Sequence, residues 1–125
     1  MELLWKNFIP YKRALHCWKL THNRLPTDEN LEKRGINTAS RCRLCEADAE
    51  STDHIFIHCS FSNDLWTTLS SWFSNHIDLL KDFEHLFCKA LKDDLSPQIK
   101  SLWLAGITVT CWEIWRTRNR RVFDD

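Results

Sequence analysis

Three cysteines and two histidines fall within the stretch from Arg41 to Cys59, "RCRLCEADAESTDHIFIHC". Residues of these types this close together can hold a metal, close a disulfide, or pair a thiol nucleophile with its base. Cys42 and Cys45 form a CxxC, His54 follows after eight intervening residues, and Cys59 after four more. Two cysteines at that spacing can face one ion from a tight knuckle, and a His and a Cys five positions apart can meet it from the next turn. Four soft or borderline donors with no carboxylate among them suit tetrahedral zinc. A closed set of four leaves no position for water or substrate, so the expected site is structural.

His58 is the rival ligand. It adjoins Cys59, and neighbouring residues on a helix project about 100° apart, which makes a shared ion difficult; His54 is the better placed of the two. Nothing in the window sets a nucleophile against an oxyanion hole. No glycine-rich phosphate loop, carboxylate constellation or Ser/His/Asp order occurs elsewhere, so no enzyme activity is expected. The start of the chain lacks a cleavable leader pattern, and no run of about eighteen uncharged apolar residues is present. A soluble, intracellular protein without membrane contact is expected, nucleus and cytoplasm being indistinguishable. In a reducing compartment, clustered cysteines point to metal before disulfides.

The net charge is zero, yet unevenly spread: residues 1–45 carry +5, residues 46–98 carry −7 and residues 99–125 carry +2. Any contact with RNA or DNA must therefore be local. Lys12, His16, Lys19 and Asn23 share one face of a predicted helix, with Arg13, Arg24, Arg41 and Arg43 near in sequence. Lys12, Lys19, Arg41 and Arg43 are the candidate phosphate contacts, against the alternative of an ordinary solvated face. Arg116, Arg118, Arg120 and Arg121 form a second cluster, at a helix C-terminus where basic residues are favoured anyway. The loop "EADAESTD" carries four acids that would repel phosphate, so zinc there is expected to pin the loop to helices, not to read bases.

The elements that must position these groups are helical. Only two Gly and three Pro among 125 residues leave little material for turns, and the apolar residues recur at helical spacing. A helix is predicted over about Tyr11 to Arg24. A short helix capped by Thr27 and ended near Gly35 follows, with Leu31 as its anchor. A third carries Phe61, Leu65, Leu69 and Trp72 on one face, capped by Ser60 or Ser62. A fourth runs through Leu79, Phe83, Leu86, Phe87 and Leu91, with connections around Asn75 and Asp93. The last begins at Ser96-Pro97 and carries Ile99, Leu102, Trp103, Ile107, Thr110, Cys111, Ile114 and Trp115. Trp18, Trp66, Trp72, Trp103, Trp112 and Trp115 are expected in the core, against the alternative of base-stacking platforms, and the thiols of Cys17, Cys88 and Cys111 are expected to be buried. The expected fold is all-α, a small helical domain stapled by a Cys3His structural zinc site: one domain over 1–125, with C-terminal helices from 76–125 packing on the zinc-binding region 5–75.

The run from Trp5 to Trp66 joins a Trp, a Pro-x-Lys, a Trp-containing helix, "RLPT…L…RG", the CxxC, an acidic loop with "E…H", then Cys and Trp. In this it resembles the reverse-transcriptase zinc-binding domain of plant non-LTR retroelements, and "WEIWRTRNRRVF" resembles the segment that follows it there. The resemblance implies Cys42, Cys45, His54 and Cys59 as zinc ligands. It also implies retroelement ancestry, as a fragment or domesticated relic. Neither the polymerase nor the ribonuclease H that flank the domain in that family is part of this sequence, so neither activity is expected. The resulting expectation is a non-catalytic module binding RNA or DNA; the alternative is a domesticated protein-interaction module with a regulatory or interfering role.

Overall fold

The computed structural model describes residues 9–37, 39–73 and 96–123. Pro10 leads into helix α1 (Tyr11–Thr21), its carbonyl accepting from the amides of Arg13 and Ala14. A ring that lacks an N–H is tolerated there because that donor would have no helical partner. The helix ends at Thr21, short of the expected Arg24, because Asn23 turns into the left-handed region at φ 54°. Asn is among the few side chains that visit this region readily. Its Oδ1 then accepts from Asn30 Nδ2 at 3.1 Å and from Thr52 Oγ1 at 2.8 Å, joining three segments.

Helix α2 (Asp28–Lys33) is capped as expected, Thr27 Oγ1 accepting from the Asn30 amide at 3.3 Å. Its anchor differs from expectation. Asn30 is the buried residue and Leu31 is only half-buried, because the Asn30 amide group donates to the carbonyls of Leu25, at 2.8 Å, and Asn23.

His54–His58 forms a π-helical turn that presents Ile55, Phe56 and Ile57 to the core. This wider turn frees carbonyls that α-helical bonding would satisfy, and buried carbonyls need donors. Helix α3 (Ser60–Phe73) supplies them: Trp66 Nε1 donates to the Phe56 carbonyl at 2.6 Å, and Ser62 Oγ donates to that of Ile55. Ser62 is therefore no cap for α3. The Trp66 bond also sets the rotation of α3, burying Trp66 and Leu69, leaving Phe61 and Leu65 partly buried and turning Trp72 outward at 75 % exposure. Core placement of Trp72 is thus corrected, as is that of Trp112, which is half-buried and outside the core cluster.

Helix α4 (Pro97–Phe123), 27 residues and about 40 Å long, packs against α1, the π turn and α3. Trp103, Leu104, Ile107, Thr108, Cys111, Ile114 and Arg118 form its buried stripe. Ile99 and Leu102, which belong to the same apolar series in the sequence, are exposed. Gly106 lets α3 come close, since a Cβ there would stand 2.9 Å from Leu69 Cδ1. Cys17 and Cys111 meet between α1 and α4 as fully buried thiols. Cys88, the predicted Leu79–Leu91 helix and the connections around Asn75 and Asp93 lie outside the described residues. Among the described residues there is no strand, and no helix is long and apolar enough to cross a membrane.

Candidate metal centre

The knuckle that carries Cys42 and Cys45 is built by local backbone bonds. The Glu46 amide donates to the Cys42 carbonyl at 2.9 Å, Glu46 itself sits at φ 60°, and the Cys42 amide reaches the Asp48 carbonyl at 2.7 Å. This folds Leu44, Cys45 and Ala47 around the sulfurs. The amides of Cys45 and Leu44 donate to Cys42 Sγ, that of Ala47 to Cys45 Sγ, and that of Phe61 to Cys59 Sγ. Donors aimed at sulfur favour the thiolate, the form that binds metal.

The second pair comes from the π turn. Its i→i+5 bond, from the Cys59 amide to the His54 carbonyl at 2.7 Å, places residues five apart over one another, which is the register needed for both to meet one ion. All four ligand atoms of Cys42, Cys45, His54 and Cys59 lie within 4.8 Å of one another. Cys42 Sγ and Cys59 Sγ are 3.8 Å apart, and Cys45 Sγ and His54 Nε2 are 3.3 Å apart. A tetrahedron with Zn–S bonds of about 2.3 Å has an S···S edge of about 3.8 Å. A disulfide would need about 2.05 Å, and these cysteines are free. His58 is exposed and stands outside the group.

Nδ1 of His54 faces Asp48 Oδ2 at 4.0 Å, so a carboxylate stands behind the ligating ring, a common outer contact of metal-bound histidine. In the metal-free protein, burial pushes the Cys59 thiol up to about 12. For Cys45, burial acts in the same direction, but the Ala47 amide, His54 and the neighbouring thiols outweigh it and bring the thiol down to about 7. Metal binding must therefore drive protons off the set, and the site holds metal less well as the pH falls.

The candidate phosphate contacts are dispersed. Lys12 and Lys19 line a groove of about 670 Å³ between α1 and the C-terminal part of α4, joined there by Arg24, Arg116 and Arg120. Arg43 lines an adjoining depression that also contains Asp28. Arg41 lies on the knuckle, where its Nε donates to the Glu46 carbonyl at 2.9 Å. Asn23 belongs to the turn after α1 and not to its basic face. The terminal arginines also separate. Arg118 is buried against Glu50, Arg121 donates to the carbonyls of Arg43 and Leu44, Arg116 meets Glu113 at 3.4 Å, and Arg120 is exposed in the groove. Arg24 and Arg120 stand outside the four candidates; the only sign of them in the sequence is proximity, since the groove forms when α4 packs on α1.

Residues 1–66, more than half of the chain, match the family described as zinc-binding in reverse transcriptase, and the chain belongs to that family. No curated protein and no solved structure matches it. The four residues gathered at the knuckle and π turn are thus positioned to hold one zinc ion. The matched region is a zinc-binding module of reverse transcriptase type.

Proposed function

We propose that this chain is a non-catalytic module of the non-LTR retroelement type that binds RNA or DNA through the α1–α4 groove, with zinc serving only to fix the scaffold. One observation carries the reading. The groove is lined by Lys12, Lys19, Arg24, Arg116 and Arg120, with no carboxylate among the described residues that line it. In a chain of zero net charge, that concentration of one sign is local and suits a polyanion. The four coordinating side chains close the metal site, so zinc has no place for a substrate.

The test is affinity for a labelled oligonucleotide as a function of salt. Phosphate contacts release counterions, so binding weakens steeply with added salt, and removing one cation from the track lowers the slope by about 0.7 unit on a single strand. K12A and K19A together are expected to weaken binding and flatten the slope, while R41A leaves both nearly unchanged. No binding at low salt to any nucleic acid would reject the reading and leave a protein-interaction module as the class to pursue.

A further inference from the structure

The same groove holds features that phosphate contact alone does not require. Trp112, Trp115 and Phe123 line it beside the cations, and His16 lies at its floor. His16 is 5 % exposed, and neither ring nitrogen has a hydrogen-bond partner among the described residues. A buried, unpaired imidazole destabilises the fold, and that cost is offset when a ligand brings polar atoms to it. Burial, with the nearby Lys19 charge adding to it, lowers its pKa to about 4, so the ring is neutral at physiological pH. A neutral ring offers one donor and one acceptor. That combination fits a heterocycle's edge better than a phosphate.

The aromatic walls differ in how much of them is taken. Trp115 already carries the Arg118 guanidinium over its ring at 4.7 Å, with Phe56 nearly parallel at 6.2 Å. Trp112 makes an edge contact with His16 at 5.5 Å and a looser one with Arg13 at 6.0 Å. Phe123 stands at the rim, 76 % exposed. Stacking of unpaired bases on such rings, beside a cationic track, is how single strands are held without sequence readout.

Building on the nucleic-acid reading above, we propose that the groove takes one unpaired nucleotide of a single-stranded nucleic acid. Its base stacks on Trp112 and Phe123 with its edge toward His16, and its flanking phosphates lie against Lys12, Lys19 and Arg120. Those three cations have no acidic partner among the described residues. The His16 nitrogens are screened from water, so the contact takes a side-chain adjustment of the size common at binding surfaces. A base paired within a duplex cannot enter.

The experiment compares the full, zinc-loaded chain on three probes of equal length: an intact single strand, the same backbone lacking bases, and a duplex. The intact strand is expected to bind about tenfold or more tightly than the abasic one, the size of one stacking interaction. W112L, F123A and H16L should each reduce that advantage without changing the salt slope; F123A, at an exposed rim position, keeps the test valid if W112L folds poorly. Equal affinity for intact and abasic strands, or an advantage that survives F123A and W112L, would overturn the base pocket while leaving the phosphate groove standing. Absence of binding to all three probes would remove the nucleic-acid reading itself, and the base pocket with it.

Discussion

Arg118 and Glu50, 68 residues apart in sequence, meet inside the protein through two hydrogen bonds, Nη2 to Oε1 at 2.6 Å and Nε to Oε2 at 3.0 Å. Glu50 Oε1 also accepts from the Asp28 amide at 2.9 Å, and the Glu50 amide donates to Ser40 Oγ. One carboxylate thus ties the loop between the zinc ligands to the start of α2 and to the last turns of α4. It also changes the reading of the acidic loop, since one of its four acids is not on the surface at all.

Removing one member of a buried pair strands the other charge. R118L is therefore expected to lower unfolding free energy by about 3–5 kcal/mol, and E50A by somewhat less because Arg118 keeps Asp28 Oδ1 at 3.9 Å. The double variant E50A/R118L should lose less than the sum, because neither charge is then left alone. Urea titration of the four proteins checks this; additive losses would contradict the coupling.

The π turn depends on donors from α3. Replacing Trp66 with Phe keeps an aromatic ring but leaves the Phe56 carbonyl buried without its 2.6 Å donor, at a cost of about 1–3 kcal/mol. Because Phe56 lies within the turn that joins His54 to Cys59, W66F is also expected to weaken zinc retention against a chelator. Competition with a colorimetric chelator measures it, and unchanged retention would separate the turn from the metal.

His16 gives the stability a pH dependence of definite sign. Its folded pKa of about 4 lies below the ordinary value of 6.5, so between those values the unfolded chain binds the proton first. The stability that neutral His16 permits is intact above pH 6.5 and is lost as the pH falls toward 4, by up to about 3 kcal/mol. Comparing denaturation of the native chain with H16L isolates this from acid loss of zinc, which affects both. H16L is expected to flatten the acid limb and to be no less stable at pH 7.

The zinc ligands are legible in the sequence because coordination depends on residue type and close spacing, both written locally in "RCRLC" and "HIFIHC". Helices α1 and α2 are legible from Pro10, Thr27 and their apolar spacing, apart from a boundary decided by the left-handed turn at Asn23. What stays hidden depends on partners distant in sequence. Nothing in "HIFIH" marks a π turn until Ser62 and Trp66 are seen to satisfy its carbonyls, and Glu50 reads as a surface acid until Arg118 packs on it. The groove, likewise, exists only where α4 crosses α1.

The central claim is one zinc ion held by Cys42, Cys45, His54 and Cys59. Its most direct test is zinc content per chain, measured by elemental analysis on the native protein and on C59S, H54A and H58A. One zinc per chain in the native protein and in H58A, with loss of stoichiometric zinc in C59S and H54A, is the predicted result. A metal-free native protein, or zinc kept by H54A and lost by H58A, would contradict it.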